Sequence, residues 1–417
     1  MRRKRNAVIR RVAVGSIAAS LAFCAAGGAR AEANPAEDDT AARPDIAPTA
    51  APPRAPAPPT APAPPATAPT SSPSQESAEQ PSTHGVSPVL STAAAIVPGV
   101  LVHGSGHLVA GDTKTGTRLL AMEGVGLGIL AMGFIPIVVT GTSRRLIGPA
   151  AALSVIGIGI FAISFLADIY GVAAPAGGFG APSTVTPIVQ TAIGYRYVYD
   201  PVFAYRQFMF QDIDYRTGAW RIHPTAWFAL DDTNSRLRAQ FAYRFTGPMP
   251  RGMRAARDGS FLDLEWALTR HAFTSDRFAT TTGEMSVAGR LDMEHIGPSL
   301  RGSFAEMSVG FALRASAYDV QGTTADMSEL LLARFGYGMY LGRPGAPRGE
   351  VSLYYDHRHD DFAAGLKTTG LVSGVAGHFG AAARLYVSDH WGFAGEAMVG
   401  SAYLAGLSVL FRHGDPL

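Results

Sequence analysis

The sequence predicts an all-β, antiparallel membrane β-barrel of 10–12 strands, preceded by an apolar α-helical hairpin and a disordered Pro-rich segment. Three observations predict it. From about Trp220 to Phe411 apolar residues recur with a period of two, as in Ala305, Met307, Val309, Phe311, Leu313, Ala315 and Ala317. This is the mark of strands with two different environments. The opposite faces hold small residues and isolated charges, and the chain begins with a secretory pattern.

The N-terminus has three parts. Arg2, Arg3, Lys4, Arg5, Arg10 and Arg11 precede an apolar run from Val12 to Ala26, and Ala29-Arg30-Ala31 offers small residues where a signal peptidase cuts. Cleavage is expected after Ala31, making 1–31 the signal peptide. Cys24 follows Leu21-Ala22 as in a lipoprotein leader, but Phe23 stands where a small residue is needed. It is the sole cysteine, so a mature chain starting at Glu32 has neither a disulfide nor a thiolate metal site.

Composition excludes further classes. Of 417 residues 16% are charged and 47% hydrophobic, with a net charge of +2, so the basic excess that neutralises phosphates is missing and no nucleic-acid partner is expected. Residues 32–87 form a Pro/Ala-rich linker holding 14 of the 29 Pro. Such a stretch lacks the apolar surface that offsets ordering entropy, and its Pro residues favour extended conformations.

Residues 88–170 read as a hydrophobic helical hairpin. Leu119–Val139 and Ile147–Ala167 are each long enough to cross ~30 Å of hydrocarbon at 1.5 Å per residue. Gly141-Thr142-Ser143-Arg144-Arg145 connects them, and the arginine pair satisfies the positive-inside rule if the mature N-terminus is periplasmic. Ser91–Val102, broken by Pro98-Gly99, is too short to span and predicts a re-entrant or interfacial helix.

Pro98-Gly99, Gly106-His107, Gly111-Asp112 and Gly116, ahead of a hairpin ending in Asp168-Ile169-Tyr170, resemble the helical hairpins of TM2-domain-like membrane proteins. Leu108-Val109 stand where that family carries an aromatic pair. The resemblance implies membrane anchoring and no common enzymatic activity.

His103 and His107 lie four apart, a spacing metals use when both imidazoles share a helix face. A third ligand would have to be Asp112 or Glu123 folding back. The plainer account is a polar turn at a membrane interface, with Glu123 snorkelling from an otherwise apolar helix.

A Gly/Pro linker at 171–187 leads into the barrel, 188–417. The clearest strands are 219–230, 235–245, 261–271, 284–295, 302–318, 326–341, 349–358, 371–388, 390–400 and 402–412, with two more expected between 190 and 215. Their polar faces carry Gly310, Ala312, Gly336, Gly338, Gly374, Ala376, Gly380, Ala382 and Gly406, which suits a crowded lumen better than a watered surface. Arg236, Arg238, Arg244, Arg290, Arg314, Arg334, Arg384 and Arg412 oppose Asp263, Glu265, Glu284, Asp292, Glu294, Glu306, Glu350 and Glu396. A one-sign ring would indicate an ion-selective pore; a balanced set predicts a cross-linked network and a filled lumen. Its expected core is Arg290, Arg314, Arg334, Arg384, Asp292, Glu306, Glu350 and Glu396.

The apolar faces carry Trp391, Phe393, Tyr403, Phe411, Phe241, Tyr243, Phe245, Phe335 and Tyr337, several near strand ends where aromatic girdles form. Gly406-x-x-Val409-x-Phe411 resembles the C-terminal signal read by the barrel-assembly machinery, although six residues follow Phe411. The partners implied are that machinery and membrane lipid, in the outer membrane, with the oligomeric state left open.

Asp356-His357-Arg358-His359-Asp360-Asp361 joins two strands. His357, His359 and Asp360 are candidate ligands for a divalent metal, and a charged loop tip accounts for the same residues. No Ser, His and acid grouping with hydrolase spacing occurs, so no catalytic residue and no cofactor are assigned, and a barrel-rim hydrolase ranks third. First comes a non-enzymatic outer-membrane barrel with a structural, docking or narrow-channel role; second is a ligand-binding periplasmic β-domain anchored in the inner membrane, because two such helices should arrest there and 171–187 reaches at most about 60 Å.

Overall fold

The computed structural model describes residues 87–140, 147–182, 186–199, 206–250, 258–274, 277–319, 326–342, 348–357, 377–400 and 402–414. The signal peptide, all but the last residue of the Pro-rich linker, Arg144, Arg145, Gly374, Ala376, His359 and Asp360 lie outside them. Everything described belongs to one compact unit, Thr83–Leu417.

Twelve strands form the barrel: β1 (Val189–Tyr199), β2 (Gln207–Thr217), β3 (Trp220–Ala229), β4 (Ser235–Thr246), β5 (Phe261–Phe273), β6 (Phe278–Asp292), β7 (Ser303–Tyr318), β8 (Asp326–Leu341), β9 (Arg348–Asp356), β10 (His378–Tyr386), β11 (Trp391–Val399) and β12 (Tyr403–His413). Each pairs antiparallel with its neighbour in sequence, and β1 closes the sheet on β12, with Ile193 opposite Val409. Both strand termini therefore lie at one end, the terminal end; β9 ends and β10 begins at the other, the loop end.

Two expected boundaries move. The strand expected at 284–295 begins at Phe278 and stops at Asp292, whose carboxylate accepts the Glu294 N–H at 3.1 Å and starts the 3-10 turn Met293–His295. The strand expected at 371–388 is β10, described from His378. Because the apolar faces point out of a closed barrel, they cannot be the core of a soluble domain.

Ahead of the barrel come α1 (Pro88–Ile96), a 3-10 turn (Pro98–Val100), α2 (Ser105–Ala110), α3 (Thr113–Thr140) and α4 (Ile147–Ala173). Glycines set how closely the two long helices approach: a Cβ on Gly126 would lie 2.9 Å from the Phe161 backbone N, and one on Gly133 2.6 Å from that of Ser154. Small residues of this kind let backbones pack in lipid, where no hydrophobic force drives helices together.

α4 lies against the outside of β7 and β8. Gly159 rests on the Phe335 ring, Tyr170 meets Tyr337 edge-on at 6.0 Å, and Leu119, Ile163, Ala167, Met293, Leu300 and Ala305 complete the seam. α3 meets the barrel at its foot, where Arg118 Nη1 donates to the Ile296 carbonyl at 2.7 Å. Leu120, Val125, Leu127, Met132, Phe134, Ile135, Val138 and Val139 on α3 are exposed, and α3 and α4 are each long and apolar enough to cross a membrane.

Candidate functional site

The foot of the hairpin is built around Asp168. Its carboxylate accepts the Gly104 N–H at 2.9 Å, the Gly106 and His107 N–H groups at 3.2 Å, and is 2.7 Å from His107 Nδ1. The glycine motif makes this possible, because Gly104 adopts φ +86° and leaves no room for a Cβ against Gly116. Glu123 does not snorkel. It is buried and accepts the His103 N–H at 2.8 Å, while His103 Nδ1 lies 2.6 Å from Ser164 Oγ and the ring packs on Phe161.

The helix premise of the metal reading fails at this foot. α2 starts at Ser105, so His103 precedes the helix that carries His107. Among the described residues no three His, Cys, Asp or Glu side chains are grouped as metal ligands. At the loop end, His357 Nδ1 lies 2.9 Å from the Tyr355 hydroxyl.

Asp112 joins the foot to the barrel: it accepts the Thr115 N–H at 3.1 Å and the Ser299 hydroxyl at 2.9 Å. Desolvation pushes its carboxyl up, but the Thr115 and Ser299 hydrogen bonds and nearby His107 outweigh it and hold the group below its ordinary value. Burial pushes the His103 imidazole down, against the pull of Glu123 and Asp168.

The lumen is crossed by ion pairs. Arg290 on β6 bonds Glu306 on β7 (Nη2–Oε1 2.6 Å) and Glu350 on β9 (Nη1–Oε2 2.8 Å), and Arg384 on β10 reaches Glu350 at 3.4 Å. Arg196 on β1 meets Glu396 at 3.2 Å and stacks on Phe210 and Trp227. Tyr354 donates to Glu396 at 2.8 Å and lies under Arg334, 3.9 Å from ring centre to guanidinium. Arg244 grips Asp263 with two 2.8 Å bonds, and Arg238 holds Glu284.

Asp292 and Glu294 bond at the β6–β7 turn instead: the Asp292 carboxylate accepts the Glu294 N–H, and Glu294 pairs with Arg301. Arg314 sits on β7 opposite Thr282. The sequence reading also missed a group. Arg216 and Arg221 share Asp214 (2.9 and 3.0 Å), and His223 lies 2.6 Å from Asp212. The alternation of Phe208, Phe210, Asp212, Asp214 and Arg216 was the available signal.

Above these charges, towards the loop end, Val198, Phe208, Phe210, Trp227, Phe273 and Leu404 form an apolar cluster inside the barrel. Phe273 and Phe278 stack with ring centroids 4.2 Å apart, and His271 stacks on Phe273 at 3.8 Å. The lumen glycines make room for such rings: Phe304 fills the space a Gly338 side chain would take, and Tyr354 the space at Gly380. At the terminal end the connector after α4 touches well-separated strands. Gly180 pairs with Gly342 beyond β8, Pro182 meets Gly259 ahead of β5, and Ile188 N–H donates to the His413 carbonyl at 2.9 Å on β12.

Outside, Tyr403 (54% exposed) and Trp391 (53%), with Phe393, Phe241 and Phe245, form an apolar, aromatic wall. Phe335 (9%) and Tyr337 (8%), expected to face lipid, are instead covered by α4. A closed sheet with a charged interior and an apolar exterior is the inverse of a soluble barrel. The chain is an outer-membrane-type β-barrel.

No family model matches this chain, and no curated protein matches it in sequence. Solved structures do. A KdgM porin is matched at 10% identity over 53% of this chain and 98% of that one, with a TM-score of 0.30. A NanC porin is matched at 10% identity over 54% and 99%, with a TM-score of 0.33. Outer membrane protein Omp33 of Acinetobacter baumannii is matched at 8% over 55% and 100%, with a TM-score of 0.27.

Proposed function

We propose that this chain is a non-enzymatic outer-membrane barrel whose lumen is closed by its own side chains, with a structural or docking role carried by the hairpin clamped to β7 and β8. The observation that carries this reading is the Arg290–Glu306–Glu350–Arg384 chain across the lumen, beneath an apolar cluster and above a connector that touches separate parts of the terminal rim. Balanced charges spend their hydrogen bonds on one another and leave no one-sign path for ions. The terminal end, from which both strand termini emerge, is the periplasmic side, and the loop end faces the cell exterior.

Reconstitution of the full chain in planar bilayers tests this. The wild type should show no steady conductance, and Arg290→Ala should produce intermittent opening. A stable single-channel current in the wild type would overturn the closed lumen. Recovery of the chain with the inner membrane on a density gradient would overturn the outer-membrane placement.

A further inference from the structure

Outward positions on the twelve strands are apolar, aromatic, small or uncharged, with two exceptions among the described residues. These are Arg270 on β5 and Glu329 on β8, and both are exposed. They stand apart: in the register Arg270 faces Thr281 on β6, and Glu329 faces Leu313 on β7. Arg270 has no hydrogen bond or ion pair with any described residue. Arg277, also exposed, belongs to the turn that joins the same two strands.

The height of Arg270 on the wall gives it meaning. Leu262, Leu264, Trp266 and Leu268 occupy the outward positions before it, and it is the tenth residue of β5. A tilted strand crosses the hydrocarbon in about 9–11 residues, so Arg270 emerges among the head groups of the loop-end leaflet. A guanidinium is always charged, and its planar fork matches two oxygens of a phosphate. Thr281 sets a hydroxyl directly opposite, and Arg277 brings a second guanidinium to the rim.

We infer that Arg270, Arg277 and Thr281 form an outward-facing site for the phosphorylated head group of a lipid in the loop-end leaflet. The site rests on the proposed outer-membrane orientation, in which that leaflet carries lipopolysaccharide. Its chemistry is that of a phosphate monoester on an acylated sugar, held at its acyl side by Trp266 and Leu268.

The test uses the full chain purified in zwitterionic detergent, with folding checked by heat-modifiable migration and residence by the density gradient. Bisphosphorylated lipid A is the probe, followed by native mass spectrometry. Wild type and Glu329→Gln should bind it alike, Arg270→Ala/Arg277→Ala should bind at least tenfold more weakly, and dephosphorylated lipid A should not be retained. Equal binding by the double variant would overturn the site. Complete displacement by millimolar inorganic phosphate would make it a free-phosphate site and overturn the lipid assignment. A wild type found in the outer membrane that binds no lipid A would sink this inference and leave the barrel reading standing.

Discussion

The barrel wall at β7 and β8 and the wall at β11, β12 and β1 use the same residue types and meet different neighbours. Phe335 and Tyr337 are as aromatic as Trp391 and Tyr403, yet the first pair is sealed under α4 and the second is open. What separates them is on the helix. Gly159 brings the α4 backbone onto the Phe335 ring, and Gly171 brings it onto His107 and Leu300. Side chains on a strand say that a face is apolar; the residues that approach it decide whether lipid or protein covers it.

The largest effects should come from groups that hold several polar partners at once. Asp168→Ala strands three backbone N–H groups and His107, and should destabilise the hairpin foot by about 3–5 kcal/mol. Hydrogen exchange at Gly104, Gly106 and His107 should then rise while exchange in β11 and β12 stays slow. Arg290→Ala leaves Glu306 and Glu350 facing each other's charge, at a similar cost of about 3–5 kcal/mol. Denaturation in detergent should report it as a loss for the barrel with the seam intact.

Intermediate effects test the seam itself. Gly159→Leu drives a side chain into Phe335 and should cost about 1–3 kcal/mol through overpacking. Heat-modifiable migration should survive while protection of α4 is lost. Equal loss of protection at β11 would mean that seam and barrel are one cooperative unit. Acid gives a smaller handle. The Asp112 carboxyl is lowered in the folded chain, so its stabilising contribution is present above the ordinary carboxylate value of ~3.9 and lost as pH falls through the lowered one. Asp112→Asn should remove this part of the acid sensitivity of the hairpin foot. On the bare wall Tyr403→Ala should cost less than about 1 kcal/mol in detergent, since the side chain exchanges one apolar medium for another.

Much of the barrel is legible in the sequence because period two survives wherever lipid lies outside and side chains fill the inside. Ten strands read directly, and the two in 190–215 are marked by Ile193, Tyr195, Tyr197 and Tyr199 and by the alternation from Phe208 to Arg216. The charged face was legible as a set but not as pairs. Arg290 and Glu350 are three strands apart, and no local pattern encodes a contact across a lumen. Glu294 was misplaced because its strand parity continues through a turn that Asp292 initiates. The hairpin foot was least legible, since Asp168 and Gly104 are 64 residues apart and a lone carboxylate in an apolar helix is compatible with several partners.

The connector gives the seam a second kind of strength. α4 is docked at β8, yet the chain that leaves it enters the sheet at β1, so the roughly eight residues from Gly180 to Ile188 span at most ~26 Å of the terminal end. Once β1 has closed on β12, the hairpin behaves as a tethered ligand with an effective concentration on the order of millimolar. A seam weakened by Gly159→Leu would therefore release and rebind in place, and a second copy of the hairpin added in trans would compete poorly with the one the chain already holds.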